Sequence, residues 1–206
     1  MPIDIWRGPA PLLLASTSGT RRALLESAGL VVETEASGLD ERATEALARS
    51  AGAGPVGIAR RLAREKALAV SRRRPDRIVI GADQVLNLDG ATLHKPLDRV
   101  GAQGQLLRLS GRAHLLHSGL AVAQGGAILR DLVDSASLTM RPLDRETIGL
   151  YLDGIDDATL LSIGIYQLEA LGAHLFERIE GDHATILGLP LLPLLRALRE
   201  LGLLAL

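Results

Sequence analysis

Cysteine is absent from the 206 residues, and aromatics nearly so: one Trp, two Tyr and one Phe make up 2% of the chain. Without a thiol there is neither a thiolate nucleophile nor a cysteine zinc site. The same absence gives no redox-compartment signal beyond a weak preference for the cytoplasm. Base stacking, the usual hold on single-stranded nucleic acid, has almost nothing to work with. A basic excess is lacking too, because 23 Lys+Arg stand against 24 Asp+Glu for a formal net charge of -1. Nucleic-acid domains normally carry a large positive balance, so no nucleic-acid polymer is expected as a partner.

Long apolar runs are also missing. Met1 to Arg7 contains Asp4, and Leu12 to Ala15 is far too short for the core of a signal peptide. The Leu-rich stretch from Leu189 to Leu206 is broken by Pro190, Pro193, Arg196, Arg199 and Glu200, so it is no membrane span of about 20 apolar residues. A cytoplasmic, soluble protein without a membrane partner is expected. Residues 1–206 are expected to form one domain, with or without two lobes, that buries roughly 70% of the unfolded surface and needs no disulfide or structural metal.

What is present alternates between strand and helix signals. Pro11 to Ala15 reads as a buried strand, Arg21 to Ala28 as a helix stopped by Gly29, Leu30 to Glu35 as a strand, Val56 to Ser71 as a helix and Arg77 to Gly81 as a second buried strand. Beyond a turn at Asp89-Gly90 come a helix over Arg99 to Leu109, sheet segments at His114 to Ala123 and Ala127 to Met140, a helix over Asp144 to Leu152, a strand over Leu175 to Ile179 and a C-terminal helix. This order predicts an α/β fold.

Several residues carry chemistry. Ser16 to Thr20 follows a buried strand and precedes Arg21-Arg22 at a helix start, which gathers hydroxyls, free N–H groups and guanidinium forks around one point. Either this is an anion site, or the arginines are a solvated face and Thr20 the helix cap; arginine in a first turn opposes the helix dipole. Lys66 falls in the middle of an apolar helical arc with Ile58, Leu62, Ala63 and Val70, so it must snorkel or meet an anion. Asp83 ends the strand Ile78 to Asp83, where carboxylates of α/β sheets face the ligand crevice and can hold a divalent cation or take a proton from water. Lys95 follows the Asp89-Gly90 turn, and Glu41 lies in a polar loop. Gly52 to Gly57 fits G-x-G-x-x-G but lacks the strand that must precede it, so it reads as a loop before a helix. Neither G-x-S-x-G nor H-E-x-x-H occurs, and His114 and His117, three apart in a strand, read as surface or packing residues.

The constellation resembles the Maf family of nucleoside triphosphate pyrophosphatases, originally named for septum-formation inhibition. Ala15-Ser-Thr-Ser18 with Arg21-Arg22 is similar to its opening phosphate loop, Asp40-Glu41 to its acidic loop, and Leu62-Ala-Arg-Glu-Lys66-Ala67 to its first lysine motif. Gly81-Ala-Asp83-Gln84-Val85 resembles the catalytic strand, Leu93-His-Lys95-Pro-Leu-Asp98 the second lysine motif, and Ser110-Gly-Arg-Ala-His114 the segment after it. Gly164-Ile-Tyr166-Gln-Leu-Glu169 and Glu180-Gly-Asp182 through Pro190-Leu191 complete the ordered pattern.

The resemblance implies a mixed twisted sheet with flanking helices forming two lobes around a central nucleotide cleft, shared with the inosine triphosphatases. It also implies metal-dependent hydrolysis of a nucleoside triphosphate to monophosphate and pyrophosphate. Asp83 becomes the catalytic carboxylate, holding Mg²⁺, Mn²⁺ or Co²⁺ or activating water, with Glu41 as metal or water partner. Lys66 and Lys95 become catalytic cations, and Ser16, Ser18, Arg21 and Arg22 bind the phosphates. Thr20, Gln84 and Glu169 stand at specificity positions; Gln84 and Glu169, with the two-residue gap between Ser18 and Arg21, look like the 7-methyl-GTP branch, not the dTTP/UTP branch. Gly19, Thr20 and Ala170 depart from the Pro, Trp and Gly usual there, and without Trp at 20 looser base discrimination is expected. A nucleotide-binding regulator of division without significant turnover and a nucleotidyltransferase stand as alternatives, and a homodimer is left open.

Overall fold

The computed structural model describes residues 5–206; Met1 to Asp4, which enter the signal-peptide argument, lie outside the described residues. In chain order the elements are β1 (Leu12–Leu14), α1 (Gly19–Ser27), β2 (Val32–Thr34), α2 (Glu41–Ser50), α3 (Pro55–Arg73), β3 (Val79–Leu88), β4 (Ala91–Leu93) and α4 (Arg99–Leu109). They continue with β5 (Ala113–Gln124), β6 (Ala127–Met140), α5 (Arg145–Asp153), α6 (Asp157–Leu160), two short 3-10 turns, β7 (Phe176–Glu180), α7 (His183–Ile186) and α8 (Leu191–Glu200). The seven strands form one mixed sheet in the order β2-β1-β3-β5-β6-β7, with β4 paired to β3 off that path. The α/β expectation is met. Among the described residues no helix is long and apolar enough to cross a membrane.

The described residues divide into two compact units, the first made of 5–84, 118–134 and 182–206 and the second of 85–117 and 135–181. In the first unit β1 is three leucines, all buried, flanked by parallel β2 and β3. A strand covered on both faces needs such an unbroken apolar run. Leu12, Leu14, Ile80, Leu120, Val122, Leu194 and Leu198 make the core on one side. On the other, α3 begins with Pro55 at its first turn and buries Ile58, Ala59, Leu62, Ala63, Lys66, Ala67 and Val70. Small residues let this helix come unusually close. A Cβ on Gly81 would lie 2.1 Å from the Ala63 carbonyl oxygen and 2.6 Å from the Ala67 nitrogen, and one on Gly119 would lie 2.2 Å from the Ala59 carbonyl oxygen. Ala63 and Ala67 pack with Ala121 and Ala123 in the same layer. Asp83 lies two residues beyond Gly81 on the same strand face, and Lys66 lies one helical turn beyond Ala63, so this approach sets their separation.

In the second unit β3 turns into β4 through Asp89 and Gly90, both at positive φ, as the sequence anticipates. Three of the chain's four aromatics, Tyr151, Tyr166 and Phe176, lie in this unit. Tyr166 and Phe176 meet edge to face at 4.8 Å between ring centres. His114 is 2% exposed, with Nε2 2.7 Å from the Tyr166 hydroxyl, and its Nδ1 is buried without a partner. His117 is also buried; its Nε2 accepts from Asn87 and its Nδ1 pairs with Ser135. Both histidines are thus packing residues and not surface ones.

Gly81→Ala should lower stability by about 3 kcal/mol, since backbone and not a movable side chain blocks the new methyl. Gly104→Ala, whose Cβ meets no described atom within 4 Å in the middle of α4, should raise it by up to about 1 kcal/mol. Urea midpoints at constant slope check both. Burial drops the His114 imidazole from 6.5 to about 4. The native state therefore refuses a proton that the unfolded chain accepts, so this stabilisation is full above pH 6.5 and is lost as pH falls through that window. Between pH 7.5 and 4.5 the loss should be about 2.5 kcal/mol, and it should shrink in His114→Gln.

Candidate active site

Lys66 is 6% exposed, on the sheet-facing side of α3. Its Nζ donates to Asp83 Oδ1 at 2.5 Å and pairs with Glu41 Oε1 at 2.7 Å. Of the two outcomes open to a lysine in an apolar arc, it meets an anion. A buried ion pair adds little to stability because desolvation offsets the attraction, so its presence here points to chemistry.

Both carboxylates sit in settings other than those expected from sequence. Glu41 is not in a loop but is the first residue of α2, capped by Asp40, whose Oδ1 accepts from the Ala43 amide at 2.9 Å. The polar composition of 40–45 hides a cap followed by an amphipathic helix packed on α3. Asp83 does not end its strand: β3 runs on to Leu88, drawn out by the β4 hairpin. Asp83 is 7% exposed. Burial pushes its carboxyl up, Lys66 and Arg21 pull it down, and Glu41 pushes it up again, with burial prevailing.

Arg21 completes the cluster. Its Nε donates to the Gly188 carbonyl at 2.8 Å, and its Nη1 to the Ala82 carbonyl at 3.0 Å and to Ser16 Oγ at 3.4 Å. Burial lowers its pKa against the opposing fields of Asp83 and Glu41. Ser18, and not Thr20, caps α1 by accepting from the Arg21 amide, and the Ser18 amide donates to Ser16 Oγ. The two adjacent arginines part company: Arg22 is exposed and pairs with Glu26 one turn on. Gln84 Nε2 lies within hydrogen-bond distance of Ser118 Oγ and of the Thr185 and Ile186 carbonyls. Lys95, after β4, and Glu169, between the 3-10 turns, are exposed residues of the second unit. Gly52 to Gly54 form the turn into α3, and Pro55 to Gly57 are already its first residues.

The first unit thus gathers Asp83 and Glu41 on the buried Lys66 ammonium, with Arg21 in the field of both carboxylates and Ser16 on Arg21. Two carboxylates and two cations suit a phosphate chain. Among the described residues no group of three or more His, Asp or Glu is placed to hold a metal ion. Two hard carboxylates fit a magnesium-like ion that takes its other ligands from phosphate and water.

Residues 11–201, which include every member of this cluster, match the family described as Maf-like protein. The chain belongs to the Maf family. Among Maf relatives, a nucleoside triphosphate pyrophosphatase of Nitrobacter winogradskyi is 55% identical over 203 residues, covering 98% of this chain and 99% of the relative. Another protein of that name from Rhodopseudomonas palustris is 51% identical over 205 residues, covering 99% and 100%. A 7-methyl-GTP pyrophosphatase of Rhizobium johnstonii is 50% identical over 191 residues, covering 93% and 96%. In this Maf chain the parts not legible beforehand are backbone groups, the Ala82 and Gly188 carbonyls that orient Arg21. Their only trace is Gly188, at φ 91°, ahead of Pro190; a carbonyl has no side-chain signal.

The two arginines should differ in stability measurements. Arg21→Ala leaves two carbonyls without their donor and should cost about 2 kcal/mol, whereas Arg22→Ala should stay within about 0.5 kcal/mol. Equal urea midpoints for the two variants would contradict this assignment.

Proposed function

We propose that this chain is a nucleoside triphosphate pyrophosphatase, a hydrolase acting on acid anhydrides, that releases monophosphate and pyrophosphate from a nucleoside triphosphate. One observation carries the reading: the buried Lys66 ammonium between Asp83 and Glu41, with Arg21 alongside. Water attacks the α-phosphorus, its oxygen forms the new bond, the α–β bridge breaks, and pyrophosphate leaves. Asp83 takes the water's proton; burial, by raising its carboxyl, makes it the better base. Lys66 holds that carboxylate in place and, with Arg21, balances charge on the leaving pyrophosphate. Ser16 and Ser18 shape the turn that holds Arg21, and Arg22 exchanges Glu26 for phosphate.

A divalent cation, Mg²⁺, Mn²⁺ or Co²⁺, would be held by Asp83 and Glu41 and would neutralise phosphate charge. Lys95 and Glu169 enter on their sequence motifs alone, as a further cation for the phosphates and a carboxylate for a cationic base. The preferred base is 7-methylguanine, supported by Glu169 as a carboxylate for the cationic ring and by Gln84 only as a residue typical of that branch, with dTTP and UTP also accepted because Thr20 offers no stacking ring. A nucleoside triphosphate substrate supports a cytoplasmic reaction.

Asp83→Asn should cut pyrophosphate release by about 10²- to 10⁴-fold, the range for a lost general base, with the circular dichroism spectrum unchanged. Full activity in that variant would refute the role.

A further inference from the structure

Gln84 follows Asp83 in β3 and is partly buried. Its Nε2 faces three oxygens, the Ile186 carbonyl at 2.9 Å and the Thr185 carbonyl and Ser118 Oγ at 3.1 Å each. Two carbonyl oxygens accept only, so the amide must present its NH₂ to them. Ser118 Oγ donates to the Thr185 carbonyl at 2.7 Å, and Thr185 Oγ1 donates to Asp134 Oδ2 at 2.6 Å. Thr185 is fully buried, so this short segment is held from three sides.

What the segment delivers is the Gly188 carbonyl. The Gly188 amide donates to the Thr185 carbonyl and the Leu189 amide to the Ala184 carbonyl, closing a tight turn after α7. At Gly188 φ is +91°, and a Cβ there would lie 3.2 Å from Arg21 Nε and Nη2. Glycine therefore meets both demands, the backbone conformation and the approach of the guanidinium. From there the Gly188 carbonyl accepts Arg21 Nε. Of the five N–H groups of Arg21, one is spent on this turn and Nη1 serves Ala82 and Ser16; Nη2 has no protein partner among the described residues. A guanidinium pinned at both Nε and Nη1 presents Nη2 in a fixed direction, which reduces the rotamer freedom lost on binding a phosphate.

We infer that Gln84 is a positioning residue for Arg21, acting through the Thr185–Gly188 turn, and that its NH₂ is committed to that turn and does not read the base. The inference rests on Arg21 being a phosphate ligand as read above. Gln84→Met keeps the volume and removes both donors. Three things are expected of it: faster amide exchange at Gly188 and Leu189 in the protein without nucleotide, a drop of roughly tenfold in kcat/KM, and the same drop on 7-methyl-GTP, UTP and dTTP. Arg21→Lys retains the charge but cannot reproduce the fork, so it should lose activity itself, and Gln84→Met added to it should cost nothing further. Should Gln84→Met fail to fold, Ser118→Ala removes the neighbouring anchor and should give the same pattern more weakly. Unchanged exchange at Gly188 and Leu189, a changed ratio among the three nucleotides, or additive losses in the double variant would each overturn the inference. Absence of turnover by the parent chain on any nucleotide would instead overturn the pyrophosphatase reading, and amide exchange in the unliganded variant would still decide the role of Gln84.

Discussion

The Lys66 ammonium is held between Asp83 and Glu41 with almost no access to water, and the first unit is built so that this can happen. Charge in that position costs several kcal/mol of desolvation per ion before any attraction is counted. It is sustained by close-range geometry, which the glycines supply: without side chains at Gly81 and Gly119, α3 comes down on the sheet until backbone meets backbone. One turn further along α3 the lysine arrives at the carboxylate, within 2.5 Å of Asp83 Oδ1. The alanine layer beneath α3 contributes modest apolar area but a precise spacing.

Arg21 follows the same logic by another route. Its guanidinium is oriented by carbonyls from two distant chain segments, Ala82 in β3 and Gly188 after α7. Burial alone would favour the neutral form; the fields of Asp83 and Glu41 oppose that. At Asp83 the two cations oppose the effect of burial, and at Arg21 the two carboxylates do so, a balance that an incoming phosphate chain shifts by adding negative charge where Arg21 has a spare donor.

Most elements could be read from the sequence because they follow strong periodic or punctuation signals: α4 starts and stops where Asp98 and Ser110 flank it, and the β3–β4 turn sits on Asp89-Gly90. Lys66 was legible as an anomaly, since a lysine on an apolar arc must be accounted for. The extent of β3 was not, because Gln84 and Asn87 interrupt its apolar run, yet both are satisfied by side-chain partners within their own unit. Glu41 reads as a loop residue because a polar cap and a polar helical face have similar composition. The separation of Arg21 from Arg22 was illegible for a simpler reason: adjacent helical residues diverge by about 100°, and which one turns inward depends on carbonyls supplied from elsewhere in the chain. The scarce aromatics, which first exclude nucleic-acid stacking, prove to be mostly internal packing, with Tyr166 and Phe176 stacked edge to face around His114.

The central claim is that Asp83, fixed by Lys66, directs water to the α-phosphorus while the cations receive pyrophosphate. Turnover of a nucleoside triphosphate in H₂¹⁸O, followed by mass spectrometry of both products, tests it most directly. The account predicts one ¹⁸O atom in the monophosphate and none in the pyrophosphate. Label in the pyrophosphate would place the attack on the β-phosphorus and contradict it.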